Sequence, residues 1–408
     1  MQIQPILAAL KKHRLATFLI AMEIALACAV LVNAVFLIAN RLSAMHINSG
    51  VDEASLGVIV VTGFDSKRTT DLNARMLAGL GAIPGVESVH AISSVPFGPQ
   101  WGVNGITLDQ AGKLPGATVV EFYLGSPGTP EALGLKLVAG HLPTADDYRP
   151  ILGDDYVPLS SRVVVTQALA EKLWPGQNPL GKEFWGGAKY RFQVMGVVAN
   201  LSVSQYTENG EHGAEWCVFV PAQAGGQLSG TYLIRAKPGN LERVMTAARA
   251  AVAKVAPDVV LDHANSHTIS FLRDRFFATD RSMAGLLVGV IVALLGVTAF
   301  GIVGLASFWV AQRRKQIGIR RALGATRADI LRYFQTENFL IVTFGIVLGV
   351  VLAIGINLVL MKFFEVPRLP LWYLPVGVVV LWLLGQLAVL VPALRAAAVP
   401  PVVATRTV

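Results

Sequence analysis

The stretch GQNPLGKE at residues 176–183 is the closest approach in this sequence to a nucleotide-binding motif. Its spacing is that of a phosphate-binding loop, in which backbone N–H groups cradle phosphate and a hydroxyl after the lysine binds Mg²⁺. Here Glu183 replaces that hydroxyl, and a carboxylate at this place would repel phosphate. We therefore predict a structural turn at 176–183. The sequence contains no second loop of this kind.

Other patterns that could support chemistry are equally incomplete. The sequence has neither a G-x-S-x-G nucleophile turn nor an H-E-x-x-H zinc motif. His263 and His267 are four residues apart, a spacing that could hold a metal on a helix, but no third ligand follows at a suitable distance. We predict no catalytic, cofactor or metal site, and place the two histidines near a domain edge.

The elements that must position any functional residue are set by long apolar runs. Hydrophobic residues make up 53% of the 408 and charged residues only 15%, too apolar a balance for a soluble chain. A helix needs about 20 apolar residues to cross a bilayer. Four runs meet that length, at residues 16–39, 283–311, 339–361 and 371–394. The first is too long for a cleaved signal peptide, so an uncleaved anchor is expected.

The net charge of +8 is distributed unevenly. Residues 41–280 hold 19 Lys and Arg against 22 Asp and Glu, so the whole basic excess lies beside the apolar runs. Basic residues on one side of membrane helices mark the cytoplasmic side. We therefore expect both termini and the 312–338 loop in the cytoplasm, residues 41–282 outside, and no role in binding nucleic acid.

The apolar runs themselves carry three notable residues. Glu23 lies within the first run, where a charge is costly and must face protein. It is either a gate or coupling residue or, as we favour, a hydrogen-bond partner of Asn33, Asn357 or Gln386. Gly345 and Gly349 form a small-xxx-small step that lets another helix approach closely.

The exported segment is predicted to be α+β. A strand, a helix and a strand are expected over 58–95, and a similar β-α-β block with Asn240 as helix N-cap over 231–262. A Gly- and Pro-rich segment at about 129–228 lies between them and is interpreted as an inserted subdomain. The flanks at 41–56 and 266–282 read as polar extensions of the first two membrane helices, forming a stalk. Cys28 and Cys217 fall on different sides of the membrane boundary, so no disulfide is expected.

The most informative stretch is the basic loop that precedes the third apolar run. A short helix over 315–323 is stopped by Gly324 and Ala325, and Thr326 to Asp329 forms a capping-box-like start for the next helix. The result is a stiff elbow with exposed arginines and a small apolar face of Ile317, Ile319 and Leu323. Such a surface could dock on an acidic or hydrophobic cytoplasmic partner.

The string IGIRRALGATRADI at 317–330, followed by the Gly345 to Gly349 step, closely resembles the signature of the MacB/FtsX-type ABC transporter permeases, the type VII ABC superfamily. Segments 132–140, 163–182 and 190–200 resemble that family's periplasmic core in the same order. Gln316 stands where many relatives carry Glu. The resemblance implies MacB-like porter and sabre-type subdomains outside and an FtsX-like permease domain in the membrane.

The resemblance also implies partners and a mechanism. The elbow would be the coupling helix that rests on a separate ATPase subunit, present in two copies, which uses ATP and Mg²⁺ while this chain binds no cofactor itself. The permease would form a homodimer or a heterodimer, to which a periplasmic adaptor could bind, and would convert ATP turnover into movement of its periplasmic domain. The residues expected to couple to the ATPase are Lys315, Gln316, Ile317, Gly318, Arg320, Arg321, Leu323, Gly324, Ala325, Thr326 and Asp329.

The sequence thus predicts an inner-membrane protein with four transmembrane helices and a large extracytoplasmic α+β domain of two subdomains. The expected function is mechanotransmission for export of a peptide, drug or lipid-linked substrate. The alternative is a non-transporting signalling or scaffold protein that regulates an envelope enzyme or senses a ligand. The predicted boundaries are 1–14 (N-terminus), 15–40, 283–311, 339–362 and 371–394 (membrane helices), 41–282 (external domain), 312–338 (elbow), 363–370 (external loop) and 395–408 (tail).

Overall fold

A computed structural model of the chain describes residues 14–114, 116–153, 155–204, 213–364 and 367–398. The chain divides into two compact units, a helical unit of residues 1–43 and 280–408 and an α+β unit of residues 44–279. The predicted N-terminal segment 1–14 and the end of the predicted tail fall almost wholly outside the described residues.

The helices of the described residues differ sharply in length, and four of them are long and apolar enough to cross a membrane. In chain order the helices are α1 (Arg14–Met45), α2 (Thr69–Gly81), α3 (Thr129–Leu133), α4 (Gln167–Leu173), α5 (Leu241–Val255), α6 (Ile269–Phe276), α7 (Ala278–Gln312), α8 (Arg314–Ala322), α9 (Arg327–Phe364) and α10 (Leu374–Ala397). The candidate membrane helices are α1, α7, α9 and α10.

The strands found in the described ranges all lie in the α+β unit. They are β1 (Leu56–Thr62), β2 (Val86–Ala91), β3 (Val103–Thr107), β4 (Thr118–Gly125), β5 (Leu137–Gly140), β6 (Ser160–Thr166), β7 (Glu183–Gly186), β8 (Tyr190–Val198), β9 (Cys217–Pro221), β10 (Thr231–Ala236) and β11 (Val260–Leu261). They form two sheets.

The helical unit packs α9 tightly against α1. A Cβ added at Gly349 would lie 2.4 Å from the Cβ of Cys28, and one added at Gly345 would lie 2.8 Å from that of Ile24. Both glycines are therefore needed for the two helix backbones to meet. The small-residue step thus serves packing within the chain.

The first sheet of the α+β unit has four antiparallel strands in the order β11-β1-β10-β2. Helices α2 and α5 pack on it through apolar residues that include Leu72, Met76, Val244 and Ala248. The sequence β1-α2-β2-β10-α5-β11 with this strand order is a ferredoxin-like arrangement. Asn240 precedes α5, but its side chain makes no capping hydrogen bond.

The second sheet is inserted between β2 and β10 and closes on itself. Its order is β5-β8-β6-β9-β4-β3-β7, and β7 also pairs with β8, so six strands form a closed barrel with β5 attached outside. The tilted rings of Phe122, Phe184 and Phe192 pack together in part of the interior, with neighbouring ring centroids 5.2 Å apart. Because β3 already belongs to this sheet, the predicted start of the insertion at about residue 129 is too late. Strands β3 and β4 precede residue 129, and their sequences do not show which sheet they join, because that depends on their pairing with distant strands.

Candidate functional site: the elbow and the domain junction

The elbow consists of α8 and the turn that leads into α9. The chain leaves α8 through Gly324, whose φ of +99° lies in the left-handed region that glycine tolerates. A complete capping box then starts α9. The Asp329 carboxylate accepts hydrogen bonds from the Thr326 backbone N–H (2.9 Å) and hydroxyl (2.6 Å), and the Thr326 hydroxyl accepts one from the Asp329 N–H (3.2 Å).

The inner face of the elbow is packed. Ile317 is only 4% exposed and joins a small core with Ile330 and Phe334 of α9 and Ala393 and Ala396 of α10. Gly318 beside it is also buried. Ile317 is thus unavailable to a partner, contrary to the apolar docking face expected from the sequence, because it anchors α8 to the neighbouring helices.

A buried ion pair reinforces this packing. One Arg313 nitrogen, Nη1, donates to both carboxylate oxygens of Glu337 at 2.8 and 3.0 Å. The Glu337 side chain is 1% exposed and that of Arg313 12%. Sequence analysis missed this pair. The only signal was an acidic residue, Glu337, two residues before the third apolar run.

Two further arginines tie α8 to its neighbours. Arg321 donates from Nη1 to the carbonyl oxygen of Ala397 at 3.0 Å, which satisfies an end group of α10. The Arg320 guanidinium lies 4.8 Å from the ring centroid of Tyr333, a cation–π distance. Arg321 therefore has a structural contact as well as a charge.

The outer face of the elbow is open to solvent. Leu323 is 83% exposed and Ile319 49%. The other exposed residues among those predicted to couple to an ATPase are Lys315, Gln316, Arg320, Gly324, Thr326 and Asp329, whereas Arg321 and Ala325 are half-buried. Apolar side chains this exposed beside cations are typical of a surface that contacts another protein.

The contacts of Glu23 differ from the predicted hydrogen bond to Asn33, Asn357 or Gln386. Its carboxylate lies against Gly301 of α7, where an added Cβ would be 2.7 Å from Oε2. Within the described residues its Oε1 atom has no hydrogen-bond partner. Asn33 donates instead to backbone carbonyls of Ala29 and Ala353, and the Asn357 side-chain oxygen accepts from the backbone N–H of Leu369.

A second arginine-centred site, the domain junction, lies in the α+β unit where α1 ends and α6 packs. Arg273 of α6 donates hydrogen bonds to the carbonyl oxygen of Met45 (2.9 Å), the last residue of α1, and to that of Ile47 (2.6 Å), two residues further on. It also pairs with Glu53 at 2.5 Å. One guanidinium thereby binds the carbonyl of Met45 at the C-terminus of α1, where helix carbonyls carry partial negative charge, and the carbonyl of Ile47 beyond it.

The junction also holds the one non-glycine residue with positive φ among those described, Phe97 at φ 62°. Its ring is 3% exposed and packs against Phe276 and Phe277 with centroids 5.4 and 5.8 Å away. The Arg273 guanidinium lies 5.3 Å from the same ring. A bulky residue in this backbone region costs energy and is held by its surroundings.

The remaining sequence candidates lie elsewhere. Glu183 begins β7 and pairs with Arg191 of β8, which holds the pKa of that carboxyl below its usual range. His263 and His267 lie in a turn and a bend outside any helix, and the His267 ring stacks on Phe271 with ring centroids 3.9 Å apart. Across the described ranges, no group of three His, Cys, Asp or Glu side chains could hold a metal ion.

Four apolar helices, an elbow between two of them and an α+β unit of two subdomains define a class of integral membrane proteins with a large extracytoplasmic domain. The family model described as the MacB-like periplasmic core domain matches residues 16–254, and that of the FtsX-like permease C-terminal domain matches residues 288–401. The chain therefore belongs to the MacB/FtsX-type family of ABC transporter permeases.

Curated relatives agree with this assignment. The chain is 27% identical over 252 residues to the pyoverdine export ATP-binding/permease protein PvdT of Pseudomonas putida, covering 58% of this chain and 36% of the relative. It is 25% identical over 377 residues to the macrolide export ATP-binding/permease protein MacB of Nitrosomonas europaea, covering 86% and 54%. It is also 25% identical over 341 residues to the uncharacterized ABC transporter permease YvrN of Bacillus subtilis, covering 78% of each. The chain thus spans about a third to a half of the length of the ATP-binding/permease relatives.

Proposed function

We propose that this chain is the moving permease subunit of an export system, driven by an ABC ATPase that docks on the outer face of the elbow. ATP and Mg²⁺ are then used by the ATPase, present in two copies, and this chain binds neither. The protein lies in the inner membrane with its termini in the cytoplasm, as a homodimer or a heterodimer with a similar permease. A periplasmic adaptor would extend the system outward.

The observation that carries this proposal is the division of α8 into two faces. The inner face is bound to α9 and α10 by Ile317 and the Arg313–Glu337 pair. The outer face presents Leu323 and Ile319 beside cations, with nothing in the described chain covering them. A push on that face must move the helices behind it, because close-packed contacts transmit displacement rather than absorb it.

Chain connectivity supplies a route from the elbow to the junction. Helix α7 has 35 residues, so it is about 52 Å long at 1.5 Å per residue. It begins directly after α6, which carries Arg273, and ends directly before α8. Near its start, Asp280 forms an ion pair with Arg41 of α1. The two helices that enter the α+β unit are therefore linked to each other.

Two of the relatives support a proposal for the class of substrate, since they are named as exporters of pyoverdine and of macrolides. We propose export of a molecule of comparable size, such as a peptide, a drug or a lipid-linked compound. The described membrane helices contain few polar residues to line an aqueous path. Movement of the α+β unit, rather than passage between the helices, is the proposed working step.

The proposal is tested with the full chain in nanodiscs and an ABC ATPase encoded beside it. The double variant Ile319→Asp with Leu323→Asp places two carboxylates on the outer face without disturbing the core. We expect loss of co-purification and of ATPase stimulation, with unchanged thermal unfolding. Arg320→Glu should weaken stimulation in the same way.

Two outcomes decide between docking and a general effect. Leu152→Asp, at an apolar position of the α+β unit that is 64% exposed, is the matched control and should leave stimulation intact. Full stimulation by the Ile319 and Leu323 double variant would overturn docking at this face. Arg321 is left unchanged in all variants because its bond to Ala397 is structural.

A further inference from the structure

The barrel of the α+β unit has an opening where β7 is too short to bridge its neighbours. Strand β7 has four residues and pairs with β3 only at Ile106 and Thr107. The chain turns back into β8 through Gly187, whose φ is +61°. Residues 103–105 of β3 therefore lie beyond the reach of β7, and their main-chain edge faces a gap on the side of β8.

This gap is a cleft of about 450 Å³, within the range of about 300–1,000 Å³ that ligand pockets occupy. Five aromatic side chains line it: Trp101, Phe122, Tyr156, Tyr190 and Phe192. Phe122 and Phe192 belong to the buried aromatic cluster of the barrel, whereas Tyr156 is 63% exposed at the rim. The cleft thus reaches from solvent to the aromatic interior of the barrel.

The polar groups of the cleft are neutral. None of the described residues that line it is Asp, Glu, Lys or Arg. Asn104 is exposed in the cleft, and its side-chain amide makes no hydrogen bond within the described part of the chain. The Tyr190 hydroxyl donates to Asp155 at 3.0 Å, which fixes the position of that ring. Available hydrogen bonding therefore comes from a side-chain amide and from the main-chain edge of 103–105.

We infer that this barrel-mouth cleft binds a small uncharged ligand that carries an aromatic ring next to an amide. Flat rings stack on aromatic walls, and the absence of a charged lining residue favours a neutral molecule. An open strand edge offers alternating N–H and C=O groups, the complement of an amide. Gly102 and Gly105 leave the approach clear, since a Cβ added at either would meet no atom within 4 Å.

The inference goes beyond the proposed coupling to an ATPase and does not depend on it. The test uses the full chain in detergent, without ATPase, and N-acetyl-L-phenylalaninamide as the probe in ligand-observed NMR. N-acetylglycinamide, which keeps the amides and lacks the ring, is the companion probe. We expect saturable binding of the aromatic probe in the millimolar range or tighter, and no saturable binding of the glycine probe.

Obstruction of the cleft separates specific binding from partition into micelles. Gly105 lines the cleft and a Cβ added there meets no atom within 4 Å, so Gly105→Trp is the obstructing variant; Gly81→Trp at the end of α2, where an added Cβ also meets nothing, is the matched control. Gly105→Trp should abolish binding and Gly81→Trp should leave it unchanged. If Gly105→Trp unfolds the domain, Tyr156→Ala at the exposed rim should still weaken binding by about 3- to 10-fold.

Three results would overturn the inference: no saturable binding, equal binding of both probes, or equal binding by the Gly105→Trp and Gly81→Trp variants in a folded protein. Failure of the elbow variants to uncouple an ATPase would leave these results untouched. Because no ATPase is present in the binding test, the two proposals fail independently.

Discussion

The elbow and the domain junction each use an arginine to hold a helix end, but they do so in different surroundings. At the elbow, Arg313 pairs with a carboxylate that is 1% exposed. At the junction, Arg273 and Glu53 remain 24% and 22% exposed, and the guanidinium also binds two carbonyl oxygens and faces Phe97. Both sites pair an arginine with a carboxylate, but water reaches the pair at the junction far more than the pair at the elbow.

This difference in exposure indicates which of the two ion pairs is easier to break. A buried ion pair that loses one partner leaves an uncompensated charge in a medium of low dielectric constant. A half-exposed arginine that loses its carboxylate keeps its carbonyl partners and some water. We therefore expect the contacts of Arg273 to be easier to break than the buried Arg313–Glu337 pair.

The largest effect is expected at the buried pair. Glu337→Ala should lower the free energy of unfolding by about 3–5 kcal/mol, because Arg313 would remain buried without its counter-charge. Unfolding of the full chain by SDS in mixed micelles measures this loss. The double variant Arg313→Met with Glu337→Leu should recover most of it, and a double variant as unstable as the single one would contradict the electrostatic explanation.

The next largest effect is the difference in free energy of unfolding between substitutions on the inner and outer faces of α8. Ile317→Ala removes a buried side chain from between α9 and α10 and should cost roughly 2–3 kcal/mol in the same unfolding assay. Ile319→Ala, two residues away on the outer face, should change stability by less than about 0.5 kcal/mol. Equal losses at both positions would show that the division of α8 into inner and outer faces is wrong.

At the junction, the loss of unfolding free energy on substitution should be smaller. Arg273→Ala removes hydrogen bonds from a charged donor and should cost about 1.5 kcal/mol. Proteolysis of the full chain should then increase near residues 45–53, since the end of α1 loses its anchor. Arg191→Ala, which breaks the more exposed pair with Glu183, is the control and should cost less. No increase in cleavage with Arg273→Ala would remove the junction from the proposed route of movement.

The smallest effect concerns pH and lies in the same α+β unit. Arg75 lowers the pKa of Asp258 to about 2, below the ordinary value of 3.8. A carboxyl with a depressed pKa stabilises the fold above its unfolded pKa, and that contribution is lost as pH falls from about 4 toward 2. The thermal midpoint of Asp258→Asn should therefore lie slightly below that of the parent protein at pH 6, and the gap should close by pH 2. A constant gap would contradict this origin.

Much of the fold could be predicted because its signals are local. Apolar runs of sufficient length indicated the four helices, and strand and helix patterns indicated β1, α2, β10 and α5 close to their observed limits. The elbow could be predicted equally well, because Gly324 ends one helix and Thr326 with Asp329 begins the next. Each of these signals acts within a few residues, so no tertiary knowledge is needed to interpret it.

The sequence by itself determined that this protein spans a membrane, carries a two-part α+β domain and places a basic elbow before its third membrane helix. Only the tertiary structure decided that Ile317 faces inward while Leu323 faces out, that Arg313 meets Glu337, and that β7 closes a barrel while leaving a cleft. These features depend on how packed helices are rotated and how distant strands pair. Such contacts join residues far apart in the chain, and no local period or motif encodes them.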